Sequence, residues 1–269
     1  MNPSYKISVV SYLNTKPFIH GLHHPSIYDN IKLSQETPAQ CAQKLLSGDI
    51  DIGLVPIAVI PQLKNPRIVS PFCIGANGAV KTVCLFSDVA LEDISTVYLD
   101  YQSRTSVLLV QVLMKEFWKK EVSFLPAIEG FEDNIKNDTA AVIIGDRAIA
   151  VLGKYKYEYD LSQAWQQHTG LPFVFAAWVS NKEIPQDFLD VLNAALQIGL
   201  SNRSQLLVKY TSYNSKHFSV KEYWNENIQY VLDTPKKQAL ELFLKKINPK
   251  QQFIYCYKIL AILKTFKLS

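Results

Sequence analysis

Residues 31–56 read IKLSQETPAQCAQKLLSGDIDIGLVP, and this stretch decides the fold class. Ile31–Ser34 reads as a strand, and Thr37-Pro38-Ala39-Gln40 is a capping box with proline at the first helical position. The helix it opens carries Cys41, Leu45 and Leu46 and stops at Gly48. Asp51–Val55 is the next strand, and Pro56 starts another helix. Strand, helix, strand and helix at this spacing predict an α/β protein with mostly parallel sheets.

The same grammar extends in both directions. Upstream, Tyr5–Val10 is a strand followed by the short loop Ser11–Asn14. Downstream, Val80–Ser87, Thr96–Asp100, Val122–Leu125, Ala140–Ile144 and Phe173–Val179 read as strands. Ser103 caps a long helix from Arg104 to about Lys119, and Phe131–Ile135 is helical. From Pro185 onward the patterns are helical: Pro185–Leu200, Ser201–Thr211, Val220–Leu232 and Pro235–Ile247. No Gly/Ser-rich linker separates two halves, which predicts two lobes joined by strands. The expected crossing lies near Ser87–Ser95 and the return near Phe173–Ser180, giving lobe 1 as 1–90 with 175–269 and lobe 2 as 91–174. Ligands then belong in the cleft between lobes, where strand ends and helix N-termini converge.

Composition narrows the partners. The 269 residues are 48% hydrophobic and 12% aromatic, too apolar for a disordered chain. Lys and Arg number 28 against 24 Asp and Glu, a net charge of +4, and only Arg67, Arg104, Arg147 and Arg203 are arginines. There is no basic stripe of the kind nucleic acid requires, so that partner is not expected. The opening MNPSYKISVV lacks the pattern of a secretory signal, and no run reaches the roughly 18 apolar residues of a membrane span. A cytoplasmic location is therefore expected, while oligomeric state is not legible. Cys41, Cys73, Cys84 and Cys256 lie far apart and read as buried thiols. Gln251–Ser269, apolar with Lys258, Lys264 and Lys267, reads as a packed or partner-covered helix.

Familiar catalytic signatures are missing. There is no GxGxxG, GxxxxGK[ST], GxSxG or HExxH, and His23-His24 has no third partner at ligand spacing. Neither a metal nor a cofactor is expected. What stands out is a set of polar loops at strand ends: Ser11–Thr15, the segment with Lys81 and Thr82, Ser103-Arg104-Thr105-Ser106, and Gly145-Asp146. The Ser103–Ser106 loop opens a helix, whose free N–H groups suit a carboxylate. From spacing alone, Ser103 and Asp146 read first as plain helix caps.

Seven stretches in order carry a resemblance: ISVVSYLNTKPF (7–18), GDIDIGLVP (48–56), NGAVKTVCLFS (77–87), LDYQSRTSVLL (99–109), AAVIIGDRAI (140–149), YDLSQAW (159–165) and TGLPFVFAAW (169–178). They resemble the chorismate dehydratase branch of the futalosine-route menaquinone-biosynthesis family, over about residues 5 to 245. The resemblance implies a two-lobed fold like type II periplasmic binding proteins. It also implies a cofactor-free elimination of water from chorismate, giving 3-[(1-carboxyvinyl)oxy]benzoate. The sister branch of the family carries an SPCPNDTF-like opening and a histidine where this chain has Gly145, so the sister activity is disfavoured.

On this resemblance Asn14 matches the family's active-site asparagine. As a neutral amide it orients the leaving hydroxyl or a carboxylate, and the substrate's own carboxylate or water takes the proton. Ser103, Thr105 and Ser106 form the expected carboxylate clamp, with Arg104 either on the substrate or turned away to brace its lobe. Thr82 stands where the family often has serine, and Ala79 where it usually has proline; Asp146 completes the expected binding set. The non-enzymatic alternative is a cytosolic, solute-binding-like sensor of an aromatic or dicarboxylate ligand, because fold alone does not select function.

Overall fold

A computed structural model describes residues 4–248 and the two-residue strand Ile254–Tyr255. The strands are β1 (Tyr5–Val10), β2 (Ile31–Glu36), β3 (Ile52–Pro56), β4 (Arg67–Ala76), β5 (Val83–Ser87), β6 (Thr96–Leu99), β7 (Ser123–Pro126), β8 (Thr139–Ile144), β9 (Tyr157–Asp160), β10 (Phe173–Ser180), β11 (Gln229–Val231) and β12 (Ile254–Tyr255). The helices are α1 (Lys16–Leu22), α2 (Pro25–Tyr28), α3 (Pro38–Ser47), α4 (Thr105–Glu116), α5 (Asp146–Val151), α6 (Leu161–Thr169), α7 (Gln186–Ser201), α8 (Arg203–Leu206), α9 (Val220–Glu222) and α10 (Thr234–Ile247). Among the described residues no helix is long and apolar enough to cross a membrane.

The capping box forms as its residues dictate. Thr37 Oγ1 accepts from Gln40 N at 3.3 Å, Gln40 Oε1 accepts from Thr37 N at 3.0 Å, and Gly48 closes α3 at φ +79°. The helix buries Cys41, Ala42 and Leu45 beside β1 and β3, which pair in parallel.

The first sheet has the order β11-β4-β10-β3-β1-β2, with β12 beside β4, and the second has β7-β6-β8-β5-β9. Both are mixed rather than mostly parallel. β1 pairs in parallel with β2 and β3, and β6 with β7 and β8, as the βαβ reading requires. β10 runs against β3 and β4, and β5 runs against β8 and β9. The reason is topological: β5 and β10 each enter one lobe directly from the other, so they start at the cleft end where their neighbours finish.

Sheet membership changes between Ala76 and Val83, ahead of the expected crossing near Ser87–Ser95. The expected strand Val80–Ser87 is therefore divided: Val80–Thr82 crosses and Val83–Ser87 pairs. The long strand β4 carries no clear strand signal in sequence because Pro71 and Gly75 break its pattern. Pro71 cannot donate to the ladder, but its carbonyl accepts from Leu232 N at 2.7 Å. The expected helix Val220–Leu232 is instead the short α9, a π-helical turn Tyr223–Asn227 and strand β11. Pro56 is followed by a 3-10 helix, Ile57–Gln62, and Ser201–Thr211 splits into α8 and a 3-10 segment, Leu207–Tyr213. Of the expected C-terminal tail helix, Ile254–Tyr255 is a strand, and the rest, with Cys256, lies outside the described residues.

Candidate functional site

A cavity opens between the two sheets, at the C-terminal ends of β1, β3, β4 and β8 and the starts of β5 and β10. The empty space between its walls is about 570 Å³, part of it open solvent. Val10, Leu54, Ile74, Val83, Ile144 and Phe175 give it apolar walls. Asn14, Thr82, Ser103, Arg104, Thr105 and Ser106 line the same cavity. Chain folding thus gathers six polar residues that the sequence scatters over more than ninety positions.

Asn14 follows β1 inside a 3-10 turn, Leu13–Thr15. Its backbone carbonyl accepts from Tyr230 Oη at 2.9 Å. Its amide oxygen is buried with no partner among the described residues. Thr82, 1% exposed, has Oγ1 2.8 Å from the Tyr223 hydroxyl.

The Ser103–Ser106 loop divides its labour. Ser103 Oγ accepts from Ser106 N at 3.0 Å and so caps α4. The Thr105 hydroxyl donates to the Phe175 carbonyl at 3.1 Å and accepts from Ala58 N at 3.3 Å, which ties α4 to the first sheet. The Ser106 hydroxyl has no protein partner among the described residues and lines the cavity. Arg104 is exposed at the cavity, with Nη1 3.2 Å from the Ser103 carbonyl. Hydroxyls, a cation and a helix N-terminus therefore share one end of the cleft, an arrangement suited to an anion.

Asp146 does not line the cavity. Its carboxylate accepts from Leu13 N at 2.9 Å and from Tyr213 Oη at 3.0 Å, so it joins the second sheet to the loop that carries Asn14. Burial pushes its pKa up against these two bonds. The charge of Asp146 adds to burial in pushing the Tyr213 phenol up to about 12. Asp100, just after β6, and Arg147, in α5, are likewise committed, to each other at 2.5 Å.

Three participants escape sequence reading. Tyr12 donates to Gln102 Oε1 at 2.6 Å across the cleft mouth. Its ring packs on Gly145, where a Cβ would sit 2.6 Å from Tyr12 Cε2. Tyr223, buried behind the wall, meets Thr82 Oγ1 at 2.8 Å. Tyr12 lies in the SYLN loop that follows β1, two residues before Asn14; Gln102 and Tyr223 carry no local signal.

Known proteins place this geometry. Solved structures share the architecture at low identity: a protein of Archaeoglobus fulgidus (TM-score 0.72, 10% identical, covering 92% of this chain and 97% of that one), and the alkanesulfonate-binding protein of Xanthomonas axonopodis pv. citri bound to MOPS (TM-score 0.61, 11% identical, 91% of each). A Candida albicans gene product described as having the generic periplasmic-binding-protein fold matches with a TM-score of 0.63 at 10% identity, over 93% and 92% of the chains. The fold is thus the two-lobed one of periplasmic binding proteins. The chorismate dehydratase of Thermus thermophilus is 26% identical over 267 aligned positions, covering 91% of this chain and 95% of that protein. The family described as menaquinone biosynthesis matches residues 5–249, so the chain belongs to that family.

Proposed function

We propose that the chain is a chorismate dehydratase, a hydro-lyase that removes water from chorismate to give 3-[(1-carboxyvinyl)oxy]benzoate. The observation that carries this reading is the meeting of Asn14 and the Ser103–Ser106 helix N-terminus on one apolar-walled cavity. Chorismate is a dianion with a carbocyclic ring and one hydroxyl. The ring suits the Val10, Ile74 and Phe175 walls, and a carboxylate suits the N-terminus of α4 beside Ser106 and Arg104.

Elimination takes the proton from C3 and the hydroxyl from C4, so one water leaves and the ring becomes aromatic. Asn14 orients the reacting end, and the substrate's own carboxylate or a water takes the proton. The protein's part is orientation and exclusion of solvent between two lobes joined at 77–82 and 170–172. Asp146 serves this reading by closing the cleft over Asn14.

Purified protein incubated with chorismate is expected to yield a product lighter by one water, followed by mass and absorbance. Asn14→Ala is expected to lower kcat/KM by about 10²-fold. Binding of chorismate without turnover by the wild-type chain replaces this reading with the sensor.

A further inference from the structure

We propose that Tyr12 is the residue that sets the size of ligand this cleft accepts. Its ring fills the space over the carboxyl ends of β6 and β8, so the site takes a single-ring carboxylate and rejects one extended by a further fused ring. The single-ring carboxylate rests on the dehydratase reading; the steric limit rests on the packing of Tyr12.

β6 and β8 are parallel neighbours that finish at Leu99 and Ile144. In an open α/β sheet the crevice outside such strand ends is where a ligand sits. Here Tyr12, from the loop after β1 of the first sheet, reaches into that crevice. Tyr12 and Gly145 both line the cavity. The ring atoms Cε2, Cδ2 and Cζ lie 2.6–2.7 Å from where a Cβ on Gly145 would stand. Glycine at 145 makes room for the ring, and the ring takes that room from the ligand.

The ring is held in place at both ends. Its hydroxyl donates to Gln102 Oε1 at 2.6 Å. Gln102 is itself fixed, with Nε2 donating to the Tyr101 hydroxyl at 3.2 Å and N to Asp100 Oδ1 at 2.9 Å. On the backbone side, the Tyr12 carbonyl accepts from Thr15 N at 3.1 Å and from Thr15 Oγ1 at 2.8 Å. Leu13 N donates to Asp146 Oδ1 at 2.9 Å, which ties the next residue to the neighbour of Gly145. Moving the ring aside breaks a part-buried hydrogen bond and leaves Gln102 Oε1 without its donor. A ligand too long for the cavity must break that bond, whereas a single ring leaves Tyr12 where it is.

Tyr12 acts here as a wall, since its proton is already in use. An amide oxygen only accepts, so the phenol hydrogen is committed to Gln102. Burial, and after it the charge of Asp100, pushes the phenol up and keeps it neutral. What Tyr12 offers the cavity is an aromatic surface beside Val10 and Ile144, and such a surface discriminates between ligands by shape.

The test uses the full chain and two aromatic dicarboxylates that differ by one fused ring, 3-(carboxymethoxy)benzoate and 6-(carboxymethoxy)-2-naphthoate. Calorimetry gives Kd for each. The wild-type chain is expected to bind the naphthoate at least about 10²-fold more weakly than the benzoate. Tyr12→Ala is expected to narrow that ratio by at least about 10-fold, through a gain in naphthoate affinity. Tyr12→Phe, which keeps the ring and frees it from Gln102, is expected to fall between the two. An unchanged ratio in Tyr12→Ala overturns the proposal, as does a Tyr12→Phe that discriminates no better than Tyr12→Ala. Equal Kd values in the wild-type chain, a measurement that needs no variant, also overturn it. Chorismate turnover by the wild-type chain is followed separately. A chain that binds the benzoate without converting chorismate loses the dehydratase reading and keeps the size limit. One that converts chorismate and binds both compounds equally loses only the size limit, and one that binds neither compound and converts nothing loses both.

Discussion

At the scale of single residues, the cleft distinguishes side chains already committed to the protein from those left for a ligand. Ser103 and Thr105 spend their hydroxyls on capping and on the lobe contact, whereas Ser106 keeps its own. Ser106→Ala is therefore expected to raise KM for chorismate by at least about 10-fold, the equivalent of one hydrogen bond to a charged group at about 1.5–3 kcal/mol. Steady-state kinetics measure it, and an unchanged KM takes Ser106 out of the site. Gly145 has φ +65° and ψ −143°, and the Tyr12 ring fills the space of a side chain. Gly145→Ala is expected to cost about 1–3 kcal/mol by thermal unfolding and to lower kcat/KM as Tyr12 is displaced. Sequence showed SYLN and Gly145 as two separate departures from the sister branch. Their contact across the cleft makes them one feature, and no local pattern could show that.

At the scale of elements, the crossing segment is held by a buried carboxylate. Asp160 caps α6 through Ser162 N at 3.0 Å and Gln163 N at 3.1 Å, and accepts from Lys81 N at 2.6 Å. Lys81 sits at φ +68°, a left-handed conformation that this bond helps to hold. Burial raises the Asp160 pKa from 3.8 to about 6 despite these donors. A folded value above the unfolded one means that folding favours the protonated acid. That contribution is complete below pH 3.8 and is lost as pH rises through about 6. Asp160→Asn does not titrate. The stability of the wild-type chain relative to this variant is expected to fall by something like 3 kcal/mol between pH 4 and pH 7 in denaturant unfolding. A flat difference across that range contradicts the assignment. Asp160 is an ordinary N-cap that marks α6 in the sequence, whereas proline and glycine interrupt the pattern of β4.

At the scale of the molecule, the lobes share an apolar core and are also joined by polar contacts around the cavity. Asp146 bridges Leu13 N and Tyr213 Oη, Tyr12 reaches Gln102, and Thr105 reaches Phe175. Hydrogen bonds of this kind can be broken and remade as ligand enters and leaves. Tyr213→Phe removes one of the two bonds on the buried Asp146 carboxylate. It is expected to shift the lobes about 10-fold toward the open form, seen as a larger radius of gyration in X-ray scattering without ligand. A radius unchanged from wild type shows that this bond does not control closure.

Sequence by itself determined the α/β class, the first βαβ unit, the family resemblance and the loops that meet at the cleft. These are written locally, in hydrophobic period, capping residues and strand-end loops, where each residue's neighbours in sequence are its neighbours in space. Tertiary structure decided which hydroxyls remain for a ligand, why β5 and β10 run backwards, and that Asp146 bonds Leu13 N and Tyr213 Oη rather than lining the cavity. It also placed Tyr223 against Thr82, 141 positions away. Such pairings depend on how two sheets and a C-terminal π turn come together, and a hydrogen bond between distant residues leaves no period or spacing in the chain.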